Sequence, residues 1–284
     1  MSKATRKSNT RLRKKHFSND KLNMLVDTLA AHAEEINQQN LKREVQQRKK
    51  EIWEEVARNV SAVCTTLRTV KDCGVKGETL IDMGAGPCTI QLLSAANSFN
   101  EIIVADYTER NCRELEKWWK NEPGAFDFTA FAKRVCEMEG NRQTWIEMEE
   151  NLRRTIKQVL RCDITKCNPL APIVLTPVDC LLTNFCTENV CTDEKSFCEY
   201  LKNMTSVLKP GGHLILTALL ECTVNIMGKH RLPSFPLTES FARIALIDTG
   251  FAIRYFKVLP STDDSPEPLT DHTGILFVLA RKEL

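Results

Sequence analysis

No stretch of this chain approaches the roughly 18 consecutive apolar residues of a membrane-spanning helix, and the N-terminus has no apolar segment of the secretory kind. Neither a membrane nor an exported protein is expected. The phosphate-loop pattern of Gly, four residues and Gly-Lys-Ser/Thr does not occur, which removes that class of nucleotide hydrolase. Internal repeats and extended low-complexity segments are also missing. Cys-x-x-Cys occurs nowhere, and the twelve cysteines are scattered, many within apolar strand or helix patterns. Reduced thiols of the cytoplasm fit that pattern better than a disulfide framework. Cys162 and Cys167, like Cys186 and Cys191, are five apart with no histidine nearby; no metal site is expected.

Charge of one sign is missing from the body but not from the start. Residues 1–20 carry seven Lys or Arg against Asp20, a balance of +6, and the rest of the chain has 32 basic and 36 acidic side chains, a balance of −4. With no net basic field in the body, a nucleic acid is not the expected substrate. The tail reads as a solvated disordered leader over residues 1–19, with nuclear import or a nonspecific RNA contact as the alternatives.

What is present begins at Thr79. A short apolar run, Leu80-Ile81-Asp82-Met83, breaks at Gly84-Ala85-Gly86 and resumes with helical spacing, and Glu101 to Ala105 then reads as a second strand ending on Asp106. Strand, glycine turn, helix and a strand tipped by a carboxylate make a nucleotide-binding βαβ unit. A lone Gly-x-Gly is often only a turn; the carboxylate twenty residues past Gly86 makes it an adenosine site. Dinucleotide binding asks for a third small residue three places after the second glycine, where this chain has Thr89. S-adenosylmethionine (SAM) suits the pattern better than NAD.

The same alternation continues to the C-terminus. Strands are expected at 79–83, 101–105, 158–162, 178–185 and 213–220, with helices at 89–98, 109–121, 194–208 and 237–249. An inserted region at 123–156 carries a charged helix around Trp145 to Lys157. Strands at 251–259 and 274–281, either side of a polar turn from Ser261 to His272, read as a late antiparallel pair. This order is an α/β fold: a doubly wound, seven-stranded, mostly parallel Rossmann-like sheet forming a domain over 77–284. Ahead of it, residues 20–76 form a helical region as lid or appendage, free of Gly and Pro from Lys21 to Val70. There Trp53, Val56, Val60, Val63, Cys64 and Leu67 make a helical stripe that reads as a core face. A protein partner on residues 21–70 is the sharper alternative.

Ligands in such sheets lie over the carboxyl ends of the strands, so Gly84, Asp106, Asp163 and Asn184 should converge on one crevice. Gly84, Ala85 and Gly86 would let the methionine and ribose lie against the backbone, Asp106 would accept from the ribose hydroxyls, and Tyr107 would edge the adenine. Asn111, one turn into the next helix, would reach the ribose or base. Asp163 would accept from the adenine amino group while the Ile164 N–H donates to the ring.

The string from Ile81 to Phe128, together with Glu139-Gly-Asn141, Gln158-Val-Leu-Arg-Cys-Asp163 and Leu208-Lys-Pro-Gly-Gly-His-Leu214, resembles the small-molecule N-methyltransferases that include the nicotinamide and phenylethanolamine enzymes. The resemblance runs from about Gly77 onward. It implies a SAM-dependent transfer of methyl to a small nitrogen acceptor, nicotinamide or a related pyridine or amine, with S-adenosylhomocysteine as product. It also places cofactor contacts at the positions just named, Gly86 excepted. This chain departs from the family in several places. Tyrosine is scarce, three in all and none before Tyr107: the places of the family's lid tyrosines fall on Leu22, Val26 and Asp27, and the tyrosine that follows the glycine turn is Ile90. Where relatives present a carboxylate to the acceptor stands Ala218, with Glu221 three residues on as a substitute; Ser234 matches a substrate-side serine. Methyl transfer rests chiefly on holding the partners in line in a dry pocket, so no catalytic residue is named. A SAM-fold binding protein without catalysis, or an enzyme with another small acceptor, are the alternatives.

Overall fold

The computed structural model describes residues 74–140, 142–227, 230–261 and 270–283. The expectations for the basic tail and for the helical region up to residue 73 lie outside these residues. The strands are β1 (Gly77–Met83), β2 (Phe99–Asp106), β3 (Ile156–Arg161), β4 (Val178–Asn184), β5 (Leu208–Leu220), β6 (Val224–Met227), β7 (His230–Pro233), β8 (Phe251–Pro260) and β9 (Gly274–Lys282). The helices are α1 (Glu109–Trp119), α2 (Thr129–Met138), α3 (Trp145–Thr155), α4 (Thr187–Val190), α5 (Glu194–Thr205) and α6 (Glu239–Asp248).

Seven strands form one sheet in the order β3-β2-β1-β4-β5-β9-β8. β1 to β5 pair in parallel, while β9 runs antiparallel between β5 and β8. The expected late antiparallel pair is therefore inserted with β9 inside and β8 at the edge. The sequence reverses direction across the sheet between β1 and β4, and that switch point leaves a crevice beyond the strands' carboxyl ends.

The central strands are apolar on both faces because helices cover both. Leu80, Ile102, Val104 and Leu182 belong to a cluster with the α2 and α3 residues Ala132, Val135, Met148 and Leu152. Ile81, Ile103, Leu181 and Leu216 belong to the opposite cluster with Phe197 and Leu201 of α5 and Ala242, Ala245 and Leu246 of α6. At the far end of the sheet from the crevice, Asp179 accepts from the Glu78 and Thr79 N–H groups and from Lys209 Nζ, at 2.9, 3.0 and 2.7 Å. That carboxylate fixes β1, β4 and β5 in register.

Three local expectations are corrected. The helix expected at 89–98 is two 3₁₀ turns, Ile90–Leu92 and Ala95–Asn97. Ile90, Gln91, Leu92, Leu93, Ser94, Ala95 and Ala96 are all buried, so even the polar Gln91 and Ser94 face no solvent and the segment follows the core it fills. β5 starts at Leu208 rather than 213, running through Pro210 and Gly211-Gly212. α2 and the β6–β7 hairpin were not anticipated; the hairpin is short, and neither of its strands alternates clearly.

Candidate active site

The carboxyl ends of β2, β1 and β4 are adjacent, and they carry Asp106, the Gly84–Gly86 turn and Asn184 respectively. The turn is held from below. The N–H groups of Gly84 and Ala85 both donate to the Ala105 carbonyl, at 2.9 and 3.2 Å, and the Gly86 N–H donates to Asp106 Oδ2 at 2.9 Å. The two glycines serve different ends. At Gly84 (φ 76°) a Cβ would lie 2.2 Å from Cys186 Sγ, whereas at Gly86 (φ 63°) it would meet nothing within 4 Å. Gly84 is required by packing; Gly86 has open space where a side chain would stand.

Asp106 is buried, at 3 % exposure. Its Oδ1 accepts from the Thr108 N–H and hydroxyl, at 2.9 and 3.1 Å, and from Asn111 Nδ2 at 2.8 Å. Burial pushes its pKa up, and these donors with the Gly86 N–H oppose the rise. With one donor on Oδ2 and three on Oδ1, the oxygen nearer the turn keeps room for a further hydroxyl. Asn111 is fully buried and donates from Nδ2 to Asp106, so it acts on the carboxylate. Thr108 also caps α1, accepting from the Asn111 N–H at 3.2 Å.

A second carboxylate lies one strand over, and the sequence reading passed over it. Asp82, fully buried near the end of β1, accepts from Gln91 Nε2 through Oδ2 at 3.0 Å, while its Oδ1 has no partner among the described residues. Its pKa is pushed up to about 7, first by burial, with the Gln91 bond opposing and the Asp106 charge adding to the rise. The same Gln91 amide reaches the Ala85 and Cys88 carbonyls at 3.3 and 3.1 Å, tying the turn to Asp82. An unpaired buried carboxylate oxygen is costly unless a cation or donor comes to it.

The other residues expected beside the adenosine follow the ends of β2 and β3. Tyr107 is half-buried, with Arg161 donating to its carbonyl at 2.9 Å and lying 5.9 Å from its ring. Beyond β3, the Cys162 N–H donates to the Asp106 carbonyl at 2.9 Å, drawing Asp163 toward β2. Asp163 Oδ1 accepts from the Thr165 N–H and hydroxyl at 3.1 and 2.6 Å, leaving Oδ2 for another donor. Ile164 is buried and accepts from Asn203 at 3.0 Å. Ile90 sits in the core cluster with Leu92 and Leu93.

Past β4 a separate wall is built around Glu188, also missed in the sequence. This residue of α4 is fully buried; its Oε1 accepts from the Leu219 N–H at 2.9 Å, and burial pushes its pKa up to about 7. The Glu188 carbonyl accepts from the Phe235 N–H at 2.8 Å and from the Ser234 hydroxyl at 3.4 Å. Ala218 is buried in β5 one residue before Leu219. Glu221 stands apart from this group: it is exposed, its backbone is left-handed (φ 54°), and its N–H donates to Leu237. The buried carboxylate beside Ala218 is Glu188, not Glu221. Nearby, Asp271 accepts from the Thr223 and Val224 N–H groups at 2.8 and 3.0 Å and from the Thr223 hydroxyl; these bonds hold its pKa down at about 2. Nothing in the sequence marks Glu188 as buried, because its Leu219 partner lies far along the chain; Asp82 sits inside the apolar run of β1 but was not singled out.

A parallel sheet with its switch point beside a glycine turn, a carboxylate at the next strand's tip and a polar wall past the fourth strand defines a SAM-dependent methyltransferase. Solved structures share the fold. Magnesium protoporphyrin IX methyltransferase from Synechocystis with bound SAM aligns with a TM-score of 0.54 at 13 % identity, covering 95 % of this chain and 100 % of that one. The 1,6-didemethyltoxoflavin-N1-methyltransferase of Burkholderia thailandensis aligns at 0.53 and 12 % identity, covering 96 % and 94 %. In sequence, residues 33–283 match the model of the NNMT/PNMT/TEMT family, and the chain belongs to that family. It is 42 % identical to human nicotinamide N-methyltransferase over 209 residues, 74 % of this chain and 78 % of that protein. To rabbit indolethylamine N-methyltransferase it is 41 % identical over 210 residues, 74 % and 79 %. To human phenylethanolamine N-methyltransferase it is 37 % identical over 211 residues, 73 % and 74 %. Among the described residues no group of His, Cys, Asp and Glu is placed to hold a metal ion, and no helix is long and apolar enough to cross a membrane.

Proposed function

We propose that this chain transfers the methyl group of SAM to the nitrogen of a small pyridine or amine, of the kind named for its relatives: nicotinamide, indolethylamine and phenylethanolamine. The observation that carries the reading is the tie between the Gly86 N–H and Asp106 Oδ2, with the unpaired Asp82 Oδ1 close behind the turn. Asp106 has room for a ribose hydroxyl, and the orphan oxygen of Asp82 is a counter-charge for the α-ammonium of an amino acid. Asp163 Oδ2 and the backbone at Ile164 would take the adenine, with Tyr107 at its edge. Bound SAM supplies a methyl carbon already activated by a sulfonium.

The chain's own residues then have three tasks. Asp106, Asp82 and the glycine turn hold one partner in a fixed place, and the wall around Glu188, Ser234 and Ala218 holds the other, so that orientation supplies much of the rate. The apolar surroundings exclude water. Glu188, with a pKa near 7, is matched to hold a proton that an amine must lose before its nitrogen can react; a pyridine nitrogen makes no such demand. In this reading residues 77–284 are the catalytic domain, 20–76 its appendage and 1–19 a basic leader, in the cytoplasm. A nucleic-acid substrate does not suit the acidic balance of the body.

Calorimetric titration of the full chain with SAM and S-adenosylhomocysteine tests the cofactor half, and mass-spectrometric detection of methylated product from a panel of pyridines and amines tests the acceptor half. Binding followed by product is expected. A folded chain that binds neither nucleoside would overturn the reading.

A further inference from the structure

Among the described residues the large apolar side chains left exposed are Ile146, Ile173, Val174, Ile244 and Ile247. Only Ile244 and Ile247 share a helix. They are 56 % and 62 % exposed on α6, three residues apart and therefore side by side on one face. Single apolar side chains on a surface are ordinary, but a paired stripe on an ordered helix points to an interaction site.

The helix is set in place before any partner arrives. Its inner residues, Ala242, Ala245 and Leu246, are buried in the cluster that includes Val278 and Ala280 of β9. Thr238 caps its start, accepting from the Phe241 N–H at 3.2 Å, and Gly250, left-handed at φ 86°, follows its end. Docking on this face orders no new backbone, which removes one of the main costs of association.

The stripe has a charge on each flank. Arg243 stands before it: Nε and Nη2 donate to Glu239 Oε1 at 3.3 and 2.9 Å, and the guanidinium lies 3.5 Å from the centre of the Phe256 ring. These contacts fix the guanidinium while Nη1 keeps its hydrogens free among the described residues. Asp248 stands after the stripe, exposed and without an ion pair among the described residues.

Arg243, Ile244, Ile247 and Asp248 have the spacing of heptad positions g, a, d and e. When two such helices lie parallel, a and d of each fill the seam, and g of one faces the e five residues on in the other. Arg243 of each copy then meets Asp248 of the other, and the contact closes on itself about a two-fold axis along the seam. Antiparallel packing sets Ile244 against Ile247 but leaves Arg243 and Asp248 on opposite flanks.

We propose that the outer face of α6 is a docking surface for a second copy of this chain, in a parallel two-fold dimer with Ile244 and Ile247 in the seam and Arg243–Asp248 pairs on either side. The surface is separate from the crevice, and the inference does not depend on the methyl acceptor. A seam of about two turns is smaller than a permanent interface, so the dimer is reversible, with a dissociation constant on the order of 100 µM. The charge pairs at its rim set partner and register more than strength.

Sedimentation equilibrium of the full chain from about 10 µM to about 1 mM tests the proposal. The unsubstituted chain should pass from monomer toward dimer over that range. Ile247→Lys brings a charge into the seam from both copies and should raise the dissociation constant about tenfold or more. Asp248→Lys sets lysine against Arg243, and Arg243→Asp sets aspartate against Asp248; each alone should weaken self-association about fivefold. An equimolar mixture of those two variants makes both pairs opposite in sign again and should recover the dimer. All three substitutions fall on exposed side chains, and circular dichroism checks the fold of each variant beforehand. A chain that stays monomeric throughout, a dimer indifferent to Ile247→Lys, or a mixture no stronger than its two components would each overturn the inference.

Discussion

Asp106 would act as a hub before it acts as a ligand. Four hydrogens from three residues meet its carboxylate, and one of those residues, Gly86, belongs to the turn that the proposed ligand would lie against. Removing the Asn111 amide should therefore weaken binding from one layer behind the ligand. Asn111→Ala is expected to raise the dissociation constant for S-adenosylhomocysteine about ten-fold, the effect of roughly 1.4 kcal/mol, as titration would read; unchanged affinity would mean the clamp is idle. Glu188 bears on stability as well as on chemistry. Its pKa rises from 4.5 to about 7 on folding, so the neutral form is favoured in the native state. Its stabilising contribution is full below the unfolded value and is lost as pH rises through the folded one. Glu188→Gln, which cannot ionise, should lessen the decline in Tm between about pH 5 and 8 by its own share, roughly 3 kcal/mol at the upper end, leaving the share of Asp82; an equal decline in both proteins would refute the assignment. Asp106 and the glycines were legible in the sequence because strand, turn and strand are contiguous there. Asp82 and Glu188 were not, since a carboxylate's burial depends on partners such as Gln91 and Leu219 that no local pattern announces.

At the level of elements, the β1 turn is the piece on which the site depends, and its two glycines should respond differently to the same change. Gly84→Ala puts a methyl against Cys186 and strains a left-handed backbone. The cost should be about 3 kcal/mol, or a fall in Tm of about 10 °C. Gly86→Ala meets open space and carries only the conformational term, about 1 kcal/mol; it should stay folded and lose affinity instead. Thermal denaturation of the two variants side by side decides this, and equal losses of stability would contradict the division of labour. Strand boundaries followed from the apolar runs to within two residues, the start of β5 excepted. The expected helix at 89–98 failed for a stated reason: all but its last two residues are buried, polar Thr89, Gln91 and Ser94 included, and period alone cannot separate a buried helix from turns that follow a core. The capping boxes at Thr144/Glu147 and Asp193/Ser196 fix the starts of α3 and α5.

At the scale of the molecule, the order of alternating strands and helices foretold a doubly wound sheet, and the sheet is there with its edge pair reversed in place. What sequence periodicity could not supply was the polar wall around Glu188, because α4, the β5 exit, the β6–β7 hairpin and Asp271 come from separate parts of the chain and only folding assembles them. Thiol placement has a further, practical consequence. Cys88, Cys112, Cys162, Cys180, Cys186, Cys191 and Cys222 are buried or half-buried, and burial raises the pKa of each. At neutral pH they are poor nucleophiles. Cys167 alone among the described cysteines is exposed, and it follows Asp163 by four residues. A maleimide dye should attach there faster than at any other described position, as peptide mapping of briefly labelled protein would show, with Cys167→Ser abolishing that fast site. The folded chain thus carries its own attachment point for a fluorophore four residues from Asp163; if the proposed site holds, nucleoside arrival could be followed by light without engineering a new cysteine.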